Sequence, residues 1–308
     1  MTVILTKDEE LHIGRAIQSV AEISNWVLVV DSGSSDRTVA IAKDAGAMVL
    51  VNEAWVNQAV QFNWALDNLP VNADWILRLD ADEFVTPELS RQIEMFLDSR
   101  EDNLSGVYVQ RRIAFIGKAV RWGGVFPVPT LRLFKRGLGR SEERWMDEHI
   151  VVAGRSTSMD GEIIDDNRKP VAWWIRKHND YSSREVAALV DGGVSAAGGD
   201  EIEALWGRGP AGRKRWLKNK IYVYLPYSVG PLLYAFYRVV IRLGFLDGWR
   251  GTAFHLLQGF WYRYLVNVKL GELRLRVTEN GESQREALET LTGIALSGVE
   301  GRRAEERQ

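Results

Sequence analysis

The chain has no cysteine among its 308 residues. Disulfides and thiolate metal sites are excluded, and thiol usage says nothing about compartment. Histidine is scarce as well. His12, His149, His178 and His255 lie far apart and form no H-E-x-x-H or similar spacing. Structural roles are expected for His12 and His255. No early strand is followed by G-x-G-x-x-G, which argues against a dinucleotide oxidoreductase. The uncharged run 221–237 holds two prolines and falls short of the about 20 residues that a spanning helix needs. There are no internal repeats, and no secretory signal precedes the strand-like residues that begin at Thr2. Otherwise the composition is ordinary for a globular protein, at 46% hydrophobic and 26% charged. That length accommodates one α/β domain and a sizeable appendage.

What is present is a repeated pattern of apolar runs ending in acids. Thr2–Thr6 reads as a strand, followed by Lys7-Asp8-Glu9-Glu10 and a helix through Val20. Trp26–Val30 is a continuous apolar run, as in a strand buried on both faces, and ends at Asp31. Behind it, Ser35 or Asp36 would cap a helix through Lys43, with Ala47–Val51 as the next strand. Trp75–Leu79 is a further strand, and Asp80, Asp82 and Glu83 follow it within four residues. Such a concentration of negative charge is costly without a nearby cation. Carboxylate oxygens suit magnesium or manganese, with phosphate and water completing the shell. The strand–helix alternation predicts an α/β domain with a mostly parallel sheet. Ligands of such sheets bind at the carboxyl ends of the strands, so these acids are expected on one edge. Strands are also predicted at 106–116 and 130–136, and a last helix at 283–296.

Several of these segments occur together in one order: Thr6-Lys7-Asp8-Glu9-Glu10, Asp31-Ser32-Gly33-Ser34-Ser35-Asp36-Arg37-Thr38, Gln61-Phe62-Asn63-Trp64-Ala65-Leu66 and Leu79-Asp80-Ala81-Asp82-Glu83. In order and spacing they resemble the inverting family 2 glycosyltransferases, over residues 1 to about 150. The resemblance implies a GT-A (Rossmann-like) domain that takes a nucleotide-diphosphate sugar and a divalent metal, magnesium or manganese. It assigns Thr6, Asp8, Glu9, Asp31, Ser32 and Asp80 to the nucleotide sugar, and Asp82 with Asp80 to the metal. Many relatives have Asn at the place of Asp8. Asp147 and Glu148 occupy the catalytic-base position, with Asp147 favoured and Glu148 holding a neighbouring donor. Trp145-Met146-Asp147-Glu148-His149, Lys177-His178-Asn179-Asp180-Tyr181 and Gly244-Phe245-Leu246-Asp247-Gly248 are similar to bacterial enzymes of exopolysaccharide or lipopolysaccharide-core synthesis. The Q-x-x-R-W motif of processive synthases is not matched, since Gly212 stands where Gln should precede Arg215-Trp216. Transfer of a single sugar is therefore expected.

The net charge of −2 conceals an asymmetry. Residues 208–250 carry nine basic groups against one acid, Asp247, with tyrosine and tryptophan interleaved. Aromatic and basic residues of this kind suit a membrane–water interface. The expected organisation is a catalytic core over 1–155, an acceptor-side and connecting region over 156–212, basic aromatic interfacial helices over 213–278, and a charged tail over 279–308. The competing expectation for the third region is a soluble helical subdomain with tryptophans in its core. A nucleic-acid partner is not expected, because the basic groups are mixed with long aliphatic stretches. The expected acceptor is a saccharide, lipid-linked, and the expected location is cytoplasmic, peripheral on the inner face of the cell membrane. Two alternatives stand beside this reading: a haloacid-dehalogenase-type phosphatase using Asp80 and Asp82, and a non-catalytic membrane-associated scaffold.

Overall fold

The structure, a computed structural model, describes residues 1–54, 56–99, 103–142, 149–195 and 228–294. It divides into two compact units, residues 1–170 with 239–254, and residues 171–238 with 255–308. The first unit is built on a sheet in the order β3-β2-β1-β4-β8-β6-β11-β5, with β7 added to β6. Here β1 is Thr2–Thr6, β2 Val27–Asp31, β3 Met48–Val51, β4 Trp75–Asp80, β5 Glu83–Val85 and β6 Leu104–Phe115. The remaining strands of this sheet are β7 (Lys118–Ala119), β8 (Val128–Lys135) and β11 (Arg155–Asp166). A separate hairpin pairs β9 (Gly139–Ser141) with β10 (Ile150–Val152).

The four early strands run parallel, as their apolar runs imply. In the rest of the sheet only β11 and β6 run parallel among the described pairs. β8 is antiparallel to β4 and to β6, and β5 is antiparallel to β11, so the sheet is mixed.

Alternate residues of the buried strands feed two cores. Ile4, Val29, Leu77 and Leu79 meet Ile13, Ala16 and Ile17 of α1 (Ile13–Ser19), Ala42 of α2 (Thr38–Asp44), and Leu89 and Ile93 of α4 (Pro87–Ser99). On the other face Val3, Leu5, Leu28, Val30 and Ile76 meet Phe62 and Ala65 of α3 (Gln58–Asp67). This is the period of two expected of a strand covered on both sides. The second helix begins at Thr38, later than the sequence suggests, because Asp31 draws Gly33 and Ser34 into a turn. Asp36 still serves the helix start, accepting from the Thr38 amide at 2.9 Å.

A core ending at 155 would stop at the first residue of β11. That strand pairs with β6 and β5, so the unit continues through Pro170. The second unit contains α5 (Val171–Ser195) and the helices Tyr262–Asn280 and Gln284–Thr292. Its core is aliphatic: Val186, Ala187, Val190, Val266, Leu273 and Leu288 are buried together. The last helix matches the sequence expectation, with Ser283 and Glu286 forming a reciprocal capping box. Among the described residues no single helix is long and apolar enough to cross a membrane, though the bent pair Val229–Ile241 and Gly244–Asn280 passes by length and composition together. Of the predicted interfacial region, residues 213–227 lie outside the described residues.

Gly161 shows how tightly α4 packs on β11. A Cβ there would lie 2.6 Å from the Leu89 Cα, a backbone atom with no room to move. Gly161→Ala should lower unfolding free energy by about 1–3 kcal/mol, as overpacking does. Urea denaturation checks this, and an unchanged midpoint would contradict the close packing.

Candidate active site

The pairing register decides where the acids go. Thr6 lies opposite Asp31 and Leu5 opposite Asp80, so the carboxyl ends of β2, β1 and β4 are level. Asp8, Glu9, Asp31, Asp80 and Asp82 consequently stand along one edge of the sheet.

Several of the predicted binding residues are internal struts there. Asp31 is 1% exposed and accepts from Thr6 Oγ1 at 3.0 Å, from the Gly33 and Ser34 amides at 3.0 and 2.8 Å, and from Ser34 Oγ. These four donors fill the acceptor capacity of a carboxylate. Ser32 Oγ accepts from Gln61 Nε2 at 3.1 Å, and Gln61 also bonds Asn52 at the end of β3. Thr6 and Asp31 thus bond each other and shape the loop after β2, while the Ser32 side chain is turned to Gln61 of α3. Lys7 closes that loop from outside by donating to the Ser32 and Gly33 carbonyls.

Asp8 is different. It adopts φ 53°, a left-handed conformation that aspartate tolerates better than most residues. Its Oδ1 accepts from the Ser35 amide at 2.7 Å, while no described donor reaches Oδ2. Glu9 is a junction. Lys169 Nζ donates to it at 2.8 Å, and His12 Nδ1 lies 2.6 Å away. Because the Arg168 amide donates to His12 Nε2 at 2.8 Å, the ring proton sits on Nδ1 and is given to Glu9. The structural role expected of His12 is the one it occupies.

At the end of β4 the two aspartates have opposite surroundings. Asp80 lies 3.3 Å from Arg132 Nη2 and 3.6 Å from Arg78 Nε. Glu83, wholly buried, accepts from Arg132 at 2.5 Å, from Arg111 at 2.8 Å and from the Asp80 amide at 3.0 Å. Asp165 pairs with Arg111 at 2.5 Å, so Asp80, Glu83 and Asp165 balance Arg78, Arg111 and Arg132. Asp82 stands outside that balance. Among the described residues only the Asn167 amide reaches its carboxylate, at 2.9 Å on Oδ2. No described group of three histidine or acidic side chains forms a ready-made ion cage. The residues nevertheless fit a hard divalent ion that keeps phosphate and water ligands, with Asp82 as a carboxylate that no described cation neutralises. Asp80 fits less well as a metal ligand, since arginines hold it on both oxygens.

The segment after β11 completes this edge, and the sequence reading missed it. Asn167 reaches Asp82, Arg168 reaches His12, and Lys169 reaches Glu9 and the Asp8 carbonyl at 2.7 Å. Only the basic run Arg168-Lys169 signalled it, and a charge run is ordinarily solvated. Asp147 and Glu148 lie outside the described residues. Their hairpin stem is described: Ser141 exchanges two hydrogen bonds with the Asn63 side chain, at 3.0 and 2.9 Å. The motif Gln61-Phe62-Asn63 therefore braces the loop after β2 with Gln61 and the hairpin with Asn63. In the second unit, His178 of α5 stacks on Trp174, with ring centroids 3.5 Å apart, and burial with the neighbouring Lys177 charge pushes it down to about 4. Asn179 accepts from Lys269, so that motif holds two helices together.

Burial raises the proton affinity of Asp80, but the charges of Arg132, Arg78 and Arg111 outweigh it and hold the carboxyl below its ordinary 3.8. Asp166 is likewise lowered, burial being offset by hydrogen bonds from Arg15 and Arg168. Carboxylates depressed in the folded state stabilise it above their unfolded value and lose that contribution as pH falls through the folded one. Asp80→Asn should therefore be less stable than wild type near neutrality, with the gap closing below about pH 4. Thermal denaturation across pH checks this, and a gap constant with pH would contradict the assignment.

A family model described as glycosyl transferase family 2 matches residues 2–159. An uncharacterized glycosyltransferase of Rickettsia typhi is 41% identical over 117 residues, 38% of this chain and 39% of that one. One from Rickettsia felis is 46% identical over 100 residues, 32% of this chain and 34% of that one. The matched region thus spans well under half the length of these relatives. Among solved structures, the glucosyl-3-phosphoglycerate synthase of Mycobacterium tuberculosis with Mn2+ and UDP-glucose is 23% identical with a TM-score of 0.31, covering 36% of this chain and 43% of that one. The family match takes in just over half of the residues, and on it the chain belongs to glycosyl transferase family 2.

Proposed function

We propose that the protein transfers a single sugar from a nucleotide-diphosphate sugar to a saccharide acceptor, with inversion and with a divalent metal. The observation that carries this reading is the level edge of acids, in which Asp82 keeps a carboxylate that no described cation neutralises. Asp8, with one oxygen that no described donor reaches, accepts a hydrogen bond from the nucleoside in this reading. Asp80 and Glu83 act behind them, fixing the end of β4 through their arginines. A bound metal would supply Lewis-acid neutralisation of the diphosphate, with Asp82 as its protein ligand and magnesium or manganese as the ion.

Asp147 or Glu148 takes the proton of the acceptor hydroxyl as that oxygen bonds to the anomeric carbon. The carbon–oxygen bond to the nucleoside diphosphate breaks on the opposite face, and the diphosphate leaves with the electron pair. The absent Q-x-x-R-W pattern favours one addition over polymerisation. The basic aromatic stretch favours a lipid-linked acceptor, in bacterial cell-surface polysaccharide or lipopolysaccharide synthesis, with the enzyme peripheral on the inner face of the membrane. A phosphatase would need Asp80 as a nucleophile, a poor role for a carboxylate facing Arg132 and Arg78.

Two substitutions test the assignments. Asp82→Asn should abolish metal-dependent transfer with a panel of nucleotide sugars. Asp147→Asn should lower turnover by about 10²–10⁴-fold, the contribution of a general base, while donor binding measured by calorimetry stays near wild type. Unimpaired transfer by Asp82→Asn would remove the metal role. If Asp147→Asn and Glu148→Gln were both fully active, the catalytic base would have to be sought elsewhere.

A further inference from the structure

The segment Gly244–Asp247 reverses the usual sorting of residues. Its buried members are Gly244 and Asp247, while Phe245 and Leu246 are each 50% exposed. The polar carboxylate is inside because the loop of Arg121 and Trp122 needs it. Asp247 accepts from the Arg121 amide at 3.0 Å and from the Trp122 amide at 2.9 Å. The Gly123 amide donates to the Arg242 carbonyl at 2.9 Å, which locks the two segments side by side.

The glycines of the motif are required by this arrangement. Gly248 has φ 70°, and a Cβ on Gly251 would fall 2.0 Å from the Asp247 Cβ. Leu243 itself is held at φ 58°. With Asp247 turned inward, the large apolar side chains have nowhere to go but out. Trp122 and Trp249 join them, Trp249 at 68% exposed. These residues all belong to the first unit, so the feature does not depend on the helical unit. Single exposed apolar residues need no explanation, but a braced group of them marks an interaction surface.

Charge identifies what the surface fits. Lys118 Nζ lies 3.5 Å from where a Gly248 Cβ would stand, the Arg250 guanidinium is 5.5 Å from the Trp249 ring centre, Arg121 and Arg242 lie in the two segments that are locked together, and the only acid of 239–254 is the buried Asp247. Tryptophan, phenylalanine and leucine ringed by cations complement an anionic lipid headgroup layer, where rings sit at the boundary and cations meet phosphates. We propose that Trp122, Phe245, Leu246 and Trp249 form a preassembled knob that inserts shallowly into an anionic phospholipid surface. The proposal rests on the reading of the chain as a peripheral membrane enzyme, and names the element that makes contact.

The test is co-sedimentation of the full chain with vesicles of phosphatidylcholine alone or mixed with phosphatidylglycerol. Wild type should bind the mixed vesicles, and Leu246→Gln/Trp249→Gln should weaken partitioning by about tenfold or more at unchanged melting temperature. Arg242→Gln/Arg250→Gln should weaken binding chiefly at low salt, which keeps the proposal testable should the first variant be unstable. If wild type binds and both variants bind equally well, the knob is refuted while peripheral attachment stands. If wild type binds neither vesicle, both ideas fall. Loss of self-association without loss of vesicle binding would make the surface an interface between copies and overturn the proposal.

Discussion

The parallel register of β2, β1 and β4 is the constraint on which the rest depends. Pairing Thr6 with Asp31 and Leu5 with Asp80 makes three strands end together, and only then do acids far apart in sequence become neighbours. A slip of one residue would turn each buried strand's side chains to the opposite face and break both cores. The two cores, with Ile4 on one side and Val3 and Leu5 on the other, are therefore what holds the acidic edge in place. The like charges gathered there are tolerated because Arg78 and Arg132 face Asp80, Lys169 pairs with Glu9, and four neutral donors enclose Asp31. Among the described residues no cation pairs with the carboxylates of Asp8 and Asp82, and each keeps an oxygen that no donor reaches.

Much of this was legible in the sequence. The segments 2–6, 26–30 and 75–79 read as strands, the second as one buried on both faces, and acids stood at or just beyond the end of each. The strands from β5 onward were harder, because their order depends on antiparallel pairings between distant segments that no local period records. The site divided in a similar way. Its acids could be found from strand ends, but not which of them were already satisfied. Asp31 and Asp82 look equivalent as letters, yet one is enclosed by four donors and the other meets a single amide. Burial and partner count are tertiary properties. Asn167, Arg168 and Lys169 were missed for the same reason, since their importance lies in contacts more than 80 residues away in the chain.

The motifs that define the resemblance thus serve mainly as scaffold. Gln61 and Asn63 brace two different loops from one helix, Thr6 and Ser32 tie the first two strand ends together, and Asp247 supports the loop of Arg121 and Trp122. Polar side chains with filled hydrogen-bonding capacity fix loop shape without costing the burial penalty of an unpaired group. A rigid edge of this kind suits a reaction in which a charged diphosphate must be held as it departs. Reactivity would then reside in the few oxygens the scaffold leaves unengaged.

The most direct measurement of the central claim is the uptake of Mn2+ by the whole chain, followed by electron paramagnetic resonance, with and without a panel of nucleoside diphosphates. An edge that offers Asp82 as its protein ligand should take the ion weakly alone and far more tightly once a matching diphosphate supplies further oxygens. Uptake that no nucleotide enhances would contradict the account.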